Sequence, residues 1–327
     1  MVRKALVVDC LEAAKPERVR FEEWRKGGLD CVHVTVATMH GARETLSLLG
    51  NWNRLLEDNS DLIALARSVD EIETISASGR TAVLFGFQDT TPLEDDIELV
   101  EVFYNLGIRI IQLTYNVQNR VASGCWETVD GGISKHFGAN VVSDMNRLGM
   151  VVDISHCGER SSMEAIENSS RPVAVTHANP EEFIGTEIEL NRRNKSTDLL
   201  RKLAANGGVI GLSPYPKILK GGSDCTLDTF IDMISWTVDK IGVDAVGFGT
   251  DYFMGWTVDR LKWARCGRFA RESAVPITGL SRWPDWFQSP EDFPDIHAAM
   301  EKRGFSKAEV DKIAGENWIR LFRANFG

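Results

Sequence analysis

No stretch of this sequence approaches the ~18 consecutive apolar residues of a membrane-spanning helix. The apolar run before Asp9 is shorter than the roughly 7–15 residues in the core of a secretory signal, so neither a membrane span nor a leader is expected. Basic charge is scarce: 37 Lys and Arg stand against 47 Asp and Glu. The resulting net charge of −10 opposes a nucleic-acid partner, which needs clustered cations to replace counterions. The six cysteines are scattered and form no CxxC pair, which reads as reduced thiols in a cytoplasmic protein. Internal repeats, low-complexity tracts and linkers are also missing, so residues 1–327 read as one domain.

The chain does contain a regular alternation of short β-branched runs and longer amphipathic ones. Eight runs read as strands: ALVVDC (5–10), CVHVTVAT (31–38), TAVLFGF (81–87), RIIQLT (109–114), MVVDIS (150–155), PVAVT (172–176), GVIGLS (208–213) and DAVGFG (244–249). Helix-like segments between them stop on glycine, as NVVSDMNRLG does at Gly149, because glycine takes the left-handed conformation freely. Strand runs apolar on both faces and separated by helices predict a parallel sheet covered by helices. Eight of them predict an α/β fold of the (β/α)8 TIM-barrel type. A doubly wound sheet would ordinarily carry a Gly-rich turn after its first strand, and DCLEAAK has none.

In such a barrel the C-terminal ends of the strands open onto the active-site face. The fifth run ends in His156, the sixth in His177, and the eighth leads through GT into Asp251. Two imidazoles and a carboxylate converging on one rim suit Zn²⁺ or a similar divalent ion with room left for water. Water on such an ion is a nucleophile near neutral pH.

Beyond single residues, whole blocks resemble the membrane (renal-type) dipeptidase family, peptidase family M19, of the metal-dependent amidohydrolase superfamily. MNRLGMVVDISH, RPVAVTHAN, VGFGTDYFMG, RRNKSTDLLRKLAANGGVIGL and GENWIRLF carry the resemblance over most of the chain. It implies a metal-dependent hydrolase acting on a dipeptide or a small dipeptide-like amide. His156 and His177 match two histidine ligands of one metal. Asp251 matches a carboxylate that binds metal and handles the proton of the attacking water. Arg193 matches the arginine that holds the substrate's terminal carboxylate, a task its planar fork suits.

Three departures limit that reading. The family's first strand carries D-G-H-x-D, whose His and Asp bind metal, whereas DCLEA has Leu11 and Ala13 there. A bridging glutamate is replaced by Gln88, whose uncharged amide oxygen is a weak ligand. Tyr115 stands where L-T-H-N has histidine, though a phenol can still donate to a developing oxyanion. The expectation is therefore one ion per chain, held by His156, His177, Asp251 and Gln88, with Glu12, Asp89 and Cys10 as further candidates. Finally, the segment at about 251–290 is rich in tryptophan (Trp256, Trp263, Trp283, Trp286). It forms an insertion ahead of the C-terminal helix and offers Trp256 to a substrate. Such aromatics suit a cage for an N-methylated or betaine-like metabolite, but equally a hydrophobic lid or a homo-oligomer interface. The lost ligands also leave room for a non-catalytic small-ligand-binding descendant.

Overall fold

In the computed structural model, which describes residues 5–327 except 187, 189 and 278, the β-branched runs pair as parallel strands. Among the described residues these are β1 (Val8–Glu12), β2 (Cys31–Ala37), β3 (Ile63–Leu65), β4 (Thr81–Phe87), β5 (Ile108–Gln112), β6 (Val151–Asp153), β7 (Ala174–Ala178), β8 (Val209–Leu212) and β9 (Val246–Phe248). All but β3 close in the order β1–β2–β4–β5–β6–β7–β8–β9 and back to β1. This is the (β/α)8 barrel read from the sequence, built on the same eight runs. The addition is β3, which pairs with Thr81 to Val83 on the edge of β4 that β5 occupies from Phe85 onward. This short strand was not among the eight runs read from the sequence.

Strand parity divides the core in two. Cys10, Leu84, Ile110, Val151, Ala174 and Val209 pack together inside the barrel, where Trp318 and Phe322 of the C-terminal helix Asn317–Phe326 join them. Neighbours of opposite parity, such as Val83, Ile111, Val152 and Val175, belong to the larger cluster that includes the surrounding helices. Two residues further along the inner faces the interior turns polar, with His33, Asp153 and Thr176 all buried. Gly86 makes this possible on β4: a Cβ there would lie 2.1 Å from His33 Nε2. Helix Phe137–Leu148 ends on Gly149 at φ 83°, in the left-handed conformation expected of that stop. No helix among the described residues is long and apolar enough to cross a membrane.

β1 contains a bulge close to the rim. Asp9 pairs with Val32 but Glu12 with Val34, one residue more on β1 than on β2. Such an insertion re-aims the side chains that follow it.

Candidate active site

The ends of β6 and β7 are tied by one carboxylate. Asp153 accepts the Thr176 hydroxyl at 2.7 Å and the Thr176 backbone N–H at 3.1 Å. It also accepts the backbone N–H of Ser155 at 2.9 Å. The Thr176 hydroxyl proton thus goes to Asp153. The hydroxyl oxygen then accepts from His177 Nδ1, 2.8 Å away. His177 therefore carries its proton on Nδ1 and presents a bare Nε2. The same holds for His156, whose Nδ1 donates over 2.7 Å to Asn116 Oδ1. That oxygen also takes the Cys125 thiol at 3.6 Å.

The two bare Nε2 atoms lie 3.0 Å apart. Burial above all, and then the Arg193 charge, hold both imidazoles well below the usual histidine range, so both are neutral. Two lone pairs facing each other at that distance repel unless a cation lies between them. The spacing suits two nitrogens on one ion with bonds of ~2.0–2.1 Å. The Tyr115 ring stacks on His156 at 4.0 Å between centroids.

Six of the seven residues singled out from the sequence, Gln88, Tyr115, His156, Arg193, Asp251 and Trp256, line one cleft with an empty volume of about 850 Å³. The seventh, His177, is fully buried and in contact with His156. Asp251 sits at φ 55°, a left-handed conformation that aspartate tolerates better than most residues, and donates its N–H to the Leu11 carbonyl at 3.0 Å. Burial pushes its carboxyl up to about 7, against the pull of Arg193. Burial likewise pushes the Tyr115 phenol up to about 12, so it keeps its proton at neutral pH. Arg193 has a task besides facing the cleft: its Nη1 donates to the Ser155 carbonyl and its Nη2 to the His177 carbonyl at 2.5 Å. It thereby braces the two histidine-bearing strand ends. Gln88 donates its amide to Thr35 Oγ1 at 2.7 Å.

The β1 side of the rim offers no equivalent donors. Leu11 is fully buried and Ala13 lines the cleft with a methyl group. The candidate replacements point elsewhere. The bulge sends Glu12 to the Trp24 indole, Asp89 accepts from the Met39 N–H at 3.0 Å, and Cys10 packs in the apolar barrel interior. Among the described residues no three His, Cys, Asp or Glu side chains gather as a metal-binding group. The facing imidazoles are what fits an ion.

Trp256 and Trp283 of the tryptophan-rich insertion line a side cavity together with Tyr215 and Phe253. Among the described residues Trp256 alone of its four indoles lines the main cleft. It donates to the Ala13 carbonyl at 2.8 Å and lies against Arg260. Trp263 donates to the Thr38 carbonyl, and Trp283 and Trp286 pack with Phe287. What the insertion brings to the cleft instead is Arg260 and Arg265. Two guanidinium groups disfavour an alkylated ammonium and favour a carboxylate in this cleft. Sequence reasoning missed both arginines, as well as Asn116 and His33. Asn116 adjoins Tyr115 and could have been noticed. The arginines sit on a helix, Val258–Cys266, with charges all round.

The description "Membrane dipeptidase (Peptidase family M19)" belongs to the family model that matches residues 11–263 of this chain. The chain belongs to this family. A similar solved structure is an amidohydrolase from Pseudomonas aeruginosa, 36% identical with a TM-score of 0.93, covering 99% of this chain and 97% of that one. Another is a metallo peptidase from Rhodobacter sphaeroides liganded with a phosphinate mimic of the dipeptide L-Ala-D-Ala. At 16% identity and a TM-score of 0.80, covering 99% of this chain and all of that one, it speaks for the fold alone. Dipeptidase tcpJ from Claviceps purpurea is 27% identical over 284 residues, 86% of this chain. The chain spans only 60% of that relative's length and 62% of an uncharacterized dipeptidase from Schizosaccharomyces pombe. Membership of the M19 family implies a metal cofactor. In this member the β6–β7 side carries His156 and His177, while β1 has Leu11 and Ala13.

Proposed function

We propose that the protein is a metal-dependent hydrolase that cleaves a dipeptide or a small dipeptide-like amide. The observation that carries this reading is the pair of bare Nε2 atoms, 3.0 Å apart and held in that tautomer by Asn116 and Thr176. His156 and His177 would hold one divalent ion, Zn²⁺ by the preference of imidazole, with Asp251 and Gln88 lining the same cleft. The ion would supply a Lewis acid for the amide carbonyl and acidify a water molecule.

The remaining steps belong to the protein's own side chains. Asp251, with its carboxyl near neutrality, is matched to accepting a proton from water and passing it to the leaving amine. Tyr115, protonated and beside His156, is suited to donate to the oxyanion as the carbonyl becomes tetrahedral. Arg193 braces both histidine segments and adds positive charge where an anionic substrate sits. Trp256 closes one wall. The six free thiols support a reducing compartment, the cytoplasm.

The test is metal content per chain, measured together with hydrolysis of a dipeptide panel before and after chelation. About one ion per chain, with turnover lost on chelation and restored by Zn²⁺, is the expected result. Hydrolysis that survives complete metal removal, or none with metal bound, overturns the proposal.

A further inference from the structure

The insertion helix Val258–Cys266 brings to the cleft two cationic side chains, each with a terminal nitrogen that is buried and without a hydrogen-bond partner. Arg265 is 4% exposed, and its Nη1 is buried without a hydrogen-bond partner. The Nη1 of Arg260 is likewise buried and unpartnered. A guanidinium nitrogen shut away from water with no acceptor is unfavourable, and two like charges in one cleft add repulsion. Among the residues lining the cleft, Arg193 adds a third positive charge and Asp251 supplies the carboxylate. The lining thus carries three guanidinium groups against one carboxylate.

The position of the pair is informative. Both arginines lie near enough to Tyr115 to act on its phenol, and Arg265 acts on His156 as well. An anion held there lies beside the facing imidazoles. Trp256 steadies Arg260, whose guanidinium carbon stands 5.4 Å from the indole centroid. Arg193 already has both terminal nitrogens on backbone carbonyls, whereas Arg260 and Arg265 each keep a free one.

We propose that Arg260 and Arg265 form an anion-recognition site that makes the preferred ligand a dicarboxylate. On the hydrolase reading above, on which the word substrate rests, this means a dipeptide-like amide with a second carboxylate besides its terminal one. Two planar guanidinium forks and a third nearby match two carboxylates in charge and in geometry. A single carboxylate would leave one of the buried guanidinium groups unpaired.

Calorimetry with glutarate, compared with neutral glutaramide, tests the site without needing turnover. Wild-type protein should bind glutarate about 10- to 100-fold more tightly than glutaramide. Arg260→Gln and Arg265→Gln should each lose most of that preference, with thermal unfolding reporting whether the variants fold. Should a Gln variant not fold, Arg260→Lys or Arg265→Lys takes its place, and a loss of about tenfold is expected as the bidentate fork becomes a point charge. Equal affinity of wild type for glutarate and glutaramide, or an undiminished preference in the variants, overturns the proposal. The ratio of kcat/KM for Ala-Glu over Ala-Ala should fall in the same variants. Arginine-dependent glutarate binding without hydrolysis of any dipeptide would overturn the hydrolase reading and leave the site standing. Hydrolysis without a glutarate preference would do the reverse.

Discussion

The two sides of the barrel rim share a scaffold and differ in what it carries. On one side Asp153 ties β6 to β7 by accepting the backbone N–H and the hydroxyl of Thr176. On the other, Asp9 ties β1 to β9 by accepting the backbone N–H of Thr250 at 2.8 Å and its hydroxyl at 2.6 Å. Each threonine is followed by a site residue, His177 or Asp251. On the Asp153 side the residues around the tie are ligand-type donors. On the Asp9 side β1 offers only Leu11 and Ala13, and the one donor there is Asp251, which follows Thr250 at the end of β9. Buried aspartate–threonine ties thus serve the barrel whether or not a metal is near, and the identity of the donors is a separate property laid over them.

The most direct way to break the comparison is His177→Ala. It removes one of the two facing nitrogens, and kcat/KM on a dipeptide should fall by more than about 100-fold, since changes to ligand-supporting residues alone reach that figure. Bound metal should fall with it. Activity retained in that variant would mean that the imidazole pair is not where the chemistry occurs. The reverse experiment restores donors to the emptied side. Leu11→His, Ala13→Asp and Gln88→Glu combined should raise metal content from about one toward about two ions per chain, because the Asp9–Thr250 tie that frames the site is already in place. Metal content that stays at one would show that the two sides differ in backbone as well as in side chains, the bulge in β1 being the place to look.

A matched pair of threonine variants sharpens the contrast. Thr176→Val deprives Asp153 of a donor and His177 Nδ1 of its acceptor, so the tautomer is no longer fixed. Activity should drop about 10- to 100-fold, with a loss of stability of about 1–3 kcal/mol. Thr250→Val removes the corresponding hydroxyl from Asp9. Its stability loss should be similar, measured by urea unfolding, and its loss of activity smaller, because no imidazole depends on that hydroxyl. Equal losses of activity would erase the distinction drawn between the two sides.

How much of this was readable from the sequence depends on distance along the chain. The eight barrel strands were legible because each is buried on both faces and ends near a glycine or a polar residue. β3, as short as β6 and β9 but paired only along the edge of β4, was not read. His156, His177, Asp251, Tyr115 and Gln88 were legible because they end or follow strands. Asp153 could be recognised as a support for a ligand, since it lies three residues before His156. The tautomer of His156 was hidden, because its partner Asn116 is 40 residues away. Arg260 and Arg265 were hidden for a different reason: which face of an insertion helix meets the cleft is decided by docking. The tryptophans of the same segment gave the conspicuous compositional signal, and of them Trp256 lines the cleft. They hold the insertion in place, and the arginines between them face the site.

The smallest effect on activity is expected at Asp9, which touches no proposed metal-holding imidazole and acts on the site only through its tie to Thr250 and its charge near Asp251. Burial raises its carboxyl from 3.8 to about 6, against the lowering influence of Thr250 and Leu11. A carboxyl raised on folding contributes stability that is complete below pH 3.8 and is lost as pH rises through about 6. Asp9→Asn cannot titrate, so it lacks this dependence. Wild type should therefore hold its greatest stability advantage over the variant near pH 4, and that advantage should shrink toward pH 7. The two values bound the change at about 3 kcal/mol. Urea unfolding of both proteins at intervals between pH 4 and pH 7 measures it. A difference that stays flat across that window would mean that Asp9 is already ionised in the folded protein at pH 4, and that its three hydrogen bonds outweigh burial. The tie on the empty side would then be a charged one.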